Sequence, residues 1–321
     1  VNLRAEGGAE TAITALVSDA DLRPWGWLAE ALPPLTGSLS VDGRFWAGGQ
    51  RWSVADVDAR WSGGRVRGRG TVEVGNALRF DDVDVALDDL PLSALEAYFP
   101  SPPAADGLLA GTLALSGEPG ALRIGGDLTL TVDSGGPVST VFEGGISSGN
   151  GGVGFDQFRA TVDPLDYAVL GRFFPAVGLT GTGQATVDAT GSLADGLAVS
   201  ADVRHIAVGG QQSQIKVEGN LLDAGEGQVR VDVQGDLAPL SFDALARDFD
   251  ALPIRGSVVG PWRASGLLRD LDIRADLITP EGRVEISGSA DVRDLGSRYD
   301  LEAALVDFRA SALTSALPEP S

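Results

Sequence analysis

One arrangement recurs along this 321-residue chain at a spacing of about seventy residues: a short amphipathic stretch near a proline, then Gly-punctuated alternating segments. It opens at Asp21-Leu22-Arg23-Pro24-Trp25, Asp89-Leu90-Pro91-Leu92, Val162-Asp163-Pro164-Leu165 and Leu237-Ala238-Pro239-Leu240, and without its proline at Asp307-Phe308-Arg309-Ala310-Ser311. The prolines stand at 24, 91, 164 and 239, giving spacings of 67, 73 and 75. A period this long, carried by elements rather than one short motif, predicts stacked repeats that act through a continuous surface. The boundaries read as 1–18 for the end of a preceding repeat, 19–88, 89–161, 162–236 and 237–306 for four repeats, and 307–321 for the start of the next. All of it is expected to form one continuous elongated domain.

Composition narrows the function classes. There is no cysteine, so neither a disulfide framework nor a thiolate metal site can form. Forty-five acidic against 24 basic residues give a net charge of −21. That disfavours nucleic acid, whose phosphates need positive charge, and flat docking on anionic headgroups. No apolar run approaches the roughly 20 residues that cross a bilayer. Val1-Asn2-Leu3-Arg4 begins within a strand pattern, and Leu317-Pro318-Glu319-Pro320 resembles a new block. The chain is therefore expected to be an internal segment of a longer one.

Period-two alternation dominates. Asp127-Leu128-Thr129-Leu130-Thr131-Val132, Leu271-Asp272-Ile273-Arg274-Ala275-Asp276-Leu277 and Arg283-Val284-Glu285-Ile286 each put apolar residues on one face and polar residues on the other. Antiparallel meanders with one wet face read this way. At the openings, Leu92, Leu95 and Phe99 follow helical spacing, as do Leu165, Val169, Leu170, Phe173 and Phe174, and Leu240, Ala244, Leu245 and Phe249. The prolines are expected in the first helical turn. Each repeat then reads as a short helix and about five strands of about 6–9 residues. The fold class is mainly β: an elongated, curled antiparallel repeating β-groove, an open gutter-like sheet with one short amphipathic helix per repeat. Whether side chains fill the interior or leave it open stays undecided by the sequence.

With these features on the page, the chain resembles the AsmA/TamB superfamily of bacterial envelope proteins. The resemblance rests on Leu35-Thr36-Gly37-Ser38-Leu39-Ser40-Val41-Asp42-Gly43 and its counterparts Leu109 to Gly117, Leu179 to Val187 and Ile254 to Gly260. It implies a repeating β-groove in the periplasm, anchored in the inner membrane by a segment outside this chain. It also implies phospholipid acyl chains as the ligand, contact with inner and outer membranes through other regions, and a possible outer-membrane barrel partner.

Several motifs suggest chemistry and are outweighed by their context. Gly145-Ile146-Ser147-Ser148-Gly149 has nucleophile-elbow spacing but no following helix pattern, and the single histidine, His205, lies in an alternating segment; a turn is expected there. Gly151 to Phe158 matches one calcium-binding nonapeptide without a second copy to complete a site, and reads as a hairpin leading into a strand that ends near Phe158. Gly181-Thr182-Gly183 lacks the third glycine of a dinucleotide loop. Neither catalytic residues, metal nor cofactor are expected. Arg65, Arg67 and Arg69, with Arg60 and Arg51 nearby, read either as a headgroup contact or as a solvated outer face. Trp25, Trp27, Trp46, Trp52 and Trp61 read either as the lining of an opening or as core filling.

The leading expectation is a non-enzymatic lipid conduit whose inward rows take acyl chains. Its lining residues are Leu113, Leu115, Leu128, Leu130, Val132, Val187, Leu197, Val199, Val229, Val231, Ile273, Val284 and Ile286. The alternative is a scaffold for outer-membrane protein assembly with a closed, filled interior. A lyase-like enzyme on a β-solenoid would need clustered carboxylates or basic residues on one face, and none is evident.

Overall fold

Alternating segments with small turn residues between them become long antiparallel strands. A computed structural model describes residues 2–6, 11–21, 36–46, 49–75, 77–98, 106–133, 135–149, 152–173, 178–225, 228–248, 255–292 and 298–307. The chain divides into two compact units, Val1–Ser148 and Gly149–Ser321. The first holds β1 (Asn2–Glu6), β2 (Thr11–Asp21), β3 (Thr36–Trp46), β4 (Gly49–Trp61), β5 (Gly64–Val74), β6 (Leu78–Pro91), β7 (Leu108–Glu118), β8 (Ala121–Thr131) and β9 (Val138–Gly149). The second holds β10 (Gly152–Asp166), β11 (Thr182–Ser192), β12 (Gly196–Ile206), β13 (Gln212–Asp223), β14 (Val229–Ser241), β15 (Ser257–Leu267), β16 (Asp270–Thr279), β17 (Gly282–Asp291) and β18 (Arg298–Val306). Within each unit every strand pairs antiparallel with its sequence neighbour. Among the described residues no pairing joins the first and last strands of either unit, so each sheet is open. The expected mainly β, open antiparallel class is what the chain adopts.

Among the described residues each repeat has four strands, not about five. A 3-10 helix (Leu92–Tyr98) follows β6, α1 (Tyr167–Phe173) follows β10, and α2 (Phe242–Asp248) follows β14. Each excursion is closed alike: Leu92 N–H donates to the Gly107 carbonyl at 2.9 Å, Tyr167 to Gly181 at 3.1 Å, and Phe242 to Gly256 at 2.8 Å. Residues 92, 167 and 242 are 75 apart, a stricter period than the prolines show. The strands run mostly 10–15 residues and carry bulges, which makes one long strand look like two short ones. The openings at Pro24 and Phe308 lie outside the described residues.

Of the opening prolines, Pro91, Pro164 and Pro239 are in strands, not helices. Bulges fall between Leu87 and Leu90, Val162 and Leu165, and Leu237 and Leu240, just before each excursion. Pro164 and Pro239 occupy the latter two, each after a cis peptide, and Pro91 ends β6. A bulge leaves residues outside the ladder, so a residue without an N–H costs nothing there. Leu165 and Leu240, expected on helices, are strand residues for the same reason. The cap is the residue before each α-helix: Asp166 Oδ1 accepts from Ala168 N–H at 2.9 Å, and Ser241 Oγ accepts from Ala244 N–H at 3.2 Å.

Gly145 to Gly149 belongs to β9, so the expected turn is strand. The strand through Phe158 continues to Asp166. The four resemblance segments fall on β3, β7, β11 and β15, the strand that starts each quartet.

Candidate functional site

Directly opposed residues on antiparallel strands point to the same side, so the register defines cross-strand rows. In the second unit one row runs Ala160, Val187, Ala201, Val217, Gly235, Trp262, Ala275, Ile286 and Ala303 from β10 to β18. A second runs Phe158, Ala189, Val199, Gly219, Val233, Ala264, Ile273, Gly288 and Leu301. A third runs Phe155, Gly191, Leu197, Leu221, Val231, Gly266, Leu271, Ala290 and Tyr299. Apart from the Trp262 indole N–H and the Tyr299 hydroxyl on the last strand, these rows carry no polar side-chain group.

The first unit repeats the pattern. Trp52, Val72, Phe80, Gly117, Leu122 and Ile146 form one row from β4 to β9, and Val57, Gly68, Val85, Leu113, Gly126 and Phe142 form another. The strand residues among the thirteen expected lining positions stand on the apolar face of their own unit: Leu113, Leu115, Leu128 and Leu130 in the first, and Val187, Leu197, Val199, Val229, Val231, Ile273, Val284 and Ile286 in the second. Val132, just after β8, is buried.

The face is packed in places and open in others. Val231, Ala264 and Leu271 form one buried cluster, with Trp262 and Ile273 against it. Val258, Leu277 and Val284 form another, covered by Phe242 of α2. Outside these clusters, Leu113, Leu115, Leu128 and Leu130 in the first unit and Val199 and Ile286 in the second stay half-buried, and Val187 is 38% exposed. On β18 Tyr299, Leu301 and Leu305 are exposed at 75%, 43% and 51%. The expected lining residues thus differ among themselves: Val132, Leu197, Val231 and Val284 are buried side chains, and the rest present surface.

Glycines notch every complete row. At Gly260, φ is +140°, and a Cβ would lie 2.2 Å from the Asp276 carbonyl oxygen. The neighbouring backbone occupies the space that any side chain needs, so only glycine fits. Trp52 and Trp262 lie over Gly43 and Gly235, and their buried Nε1 atoms have no hydrogen-bond partner. These two tryptophans fill notches of the apolar face. Trp46 is 39% exposed on the opposite face, and Trp25 and Trp27 lie outside the described residues.

The opposite face carries charge in pairs. Arg65 Nε donates to Asp58 at 2.7 Å, Arg67 to Asp88 at 2.9 Å, and Arg69 Nη2 to Asp84 at 2.8 Å. Arg159–Asp188, Arg263–Asp232 and Arg283–Asp276 repeat this in the second unit. The basic row on β5 is therefore neutralised across the ladder, which favours the solvated-face reading over a headgroup site. The hydrogen bond from Arg65 holds the Asp58 carboxyl below the usual carboxylate range and Arg65 above its own. Both groups are solvent-exposed, where such pairs contribute little stability. A hollow of about 1180 Å³ opens chiefly on this polar face across β13–β18, between Lys216, Glu218, Arg263, Arg274, Arg283 and Glu302. A twisted sheet is saddle-shaped, so each face is concave along one direction.

His205 lies on the apolar side of β12 beyond the hydrophobic rows, where α1 begins. It is buried, and its Nε2 lies 2.7 Å from the Thr180 carbonyl. Tyr167 packs edge-on against the ring, with centroids 4.8 Å apart, and burial raises the Tyr167 pKa. Among the described residues no serine hydrogen-bonds that imidazole: its ladder partner Ser213 accepts from Ser241 N–H instead. Sequence reading placed His205 on a strand but missed its contacts, which come from 25 and 38 residues away.

No family model matches the chain, and no curated protein or solved structure matches it. Among the described residues, no helix is long and apolar enough to cross a membrane.

Proposed function

We propose that the apolar face is a bed for lipid acyl chains and that the protein is a non-enzymatic lipid conduit. The observation that carries this reading is the set of cross-strand rows spanning all nine strands of the second unit, apolar or glycine up to Tyr299 at the edge. Rows of this kind offer an acyl chain a succession of near-equivalent sites, so it can slide without leaving apolar surroundings. Each methylene buried against them contributes roughly 0.8 kcal/mol. The half-buried state of Leu113, Leu115, Val199 and Ile286 supports a surface that still has contacts to offer. The AsmA/TamB resemblance adds the setting to the same proposal: a periplasmic protein moving phospholipid between inner and outer membranes.

The test is direct. The protein is incubated with vesicles of phosphatidylethanolamine and phosphatidylglycerol, re-isolated by gel filtration and weighed by native mass spectrometry. Adducts at the masses of the added phospholipids are expected. Protein that returns lipid-free has a face closed by its own side chains, which is the scaffold reading.

A further inference from the structure

We propose that His205 is a proton-sensitive latch that ties the two helical excursions of the second unit to the sheet and releases them on acidification. The proposal goes beyond lipid binding, and its test involves no lipid.

A carbonyl oxygen only accepts, so His205 Nε2, 2.7 Å from the Thr180 carbonyl, carries the proton. In the neutral ring Nδ1 is then a bare lone pair, and it is buried with no partner. Thr180 is itself held from the other side. Its N–H donates to Asp248 Oδ2 at 3.0 Å, and its hydroxyl donates to Asp248 Oδ1 at 2.6 Å. Asp248 is the last residue of α2. Tyr167, the first residue of α1, packs on the imidazole and donates its hydroxyl hydrogen to the Arg204 carbonyl at 3.1 Å. One ring thus touches α1 and, through Thr180, fixes the end of α2.

The groups around the ring decide what a second proton does. From α1 comes Tyr167, kept neutral by burial. From β11 comes Gly183 and from β13 Ser213, its ladder partners, both uncharged. The charged groups of α2 are Asp243 in its first turn, Asp248, behind Thr180, and Arg247, which lies over Gly209. Among the described residues none of these gives Nδ1 an acceptor. Protonation therefore creates a buried, charged N–H with no acceptor within hydrogen-bond distance, a costly state that is relieved by parting the ring from its site. Histidine is the side chain whose charge changes between about pH 5 and 8, and this chain has one.

Hydrogen–deuterium exchange of the intact protein at pH 7.5 and 5.0, corrected for intrinsic rates, tests this. Protection of peptides covering residues 167–173 and 242–248 should fall roughly tenfold at the lower pH, while the centres of β12–β16 hold. His205→Gln, which keeps a donor for Thr180 without gaining charge, should abolish that dependence. Asp248→Asn should loosen the α2 segment at both pH values. The single imidazole's ¹⁵N shifts should report an Nε2–H tautomer at pH 7.5. Equal protection at both pH values, an unchanged pH dependence in His205→Gln, or an Nδ1–H tautomer overturns the latch.

Discussion

Two aspartates at Leu113 and Leu115 should cut phospholipid transfer between vesicles by roughly a hundredfold, with the sheet intact. Both side chains are half-buried on the apolar face of β7 and oppose Gly126 and Ile124 of β8. A carboxylate in that row must be stripped of water or must keep water where acyl methylenes lie. Either course costs several kcal/mol, and a barrier higher by about 3 kcal/mol slows passage about a hundredfold. The loss in stability should be smaller, about 1–3 kcal/mol, because neither leucine is fully buried. Ala114→Asp with Ser116→Asp is the matched control on the same strand. Those residues face the other side, where Ser116 opposes Arg123, so transfer should stay near wild type. Equal transfer by both double variants would remove the apolar face from the mechanism.

Gly260→Ala should destabilise the second unit by about 2–4 kcal/mol in urea unfolding. The position combines a left-handed φ of +140° with a neighbouring carbonyl oxygen 2.2 Å from where Cβ must go. The dihedral alone costs about 1–3 kcal/mol, and forcing strands apart costs a similar amount. Gly260 lies in β15 with β14 and β16 on either side, so neither neighbour is free to move away. Gly171 in α1 supplies the contrast. Its Cβ would meet nothing within 4 Å and its φ is unremarkable, so Gly171→Ala should stabilise by about 0.5–1 kcal/mol. If Gly260→Ala unfolds at the wild-type midpoint, close strand approach at the notches is not what shapes the sheet.

What the sequence made legible was whatever depends on parity. Ile273 and Arg274 go to opposite faces because adjacent strand residues must, and that requires no knowledge of partners. The strand positions of the expected lining therefore share one face within each unit. What stayed hidden depends on register and bulges. Pro164 and Pro239 carry the local signature of a helix start, but the helices begin three residues later, at Tyr167 and Phe242. The bulge that admits each proline cannot be seen without its partner strand. The same blindness turned four long strands into about five short ones. Arg65, Arg67 and Arg69 formed an unassigned basic row until Asp58, Asp88 and Asp84 arrived from the strands on either side. The His205–Thr180–Asp248 chain joins residues 25 and 68 apart and leaves no local trace.

The most direct measurement compares two neighbours on β11. A benzophenone side chain at Val187 sits on the apolar face, and one at Asp188, where the native carboxylate binds Arg159, sits on the charged face. After irradiation with phosphatidylethanolamine vesicles, mass spectrometry should find a phospholipid adduct at 187, formed through an acyl C–H, and none at 188. Labelling of equal yield at the two positions, or adducts at 188 alone, would contradict an acyl-binding apolar face.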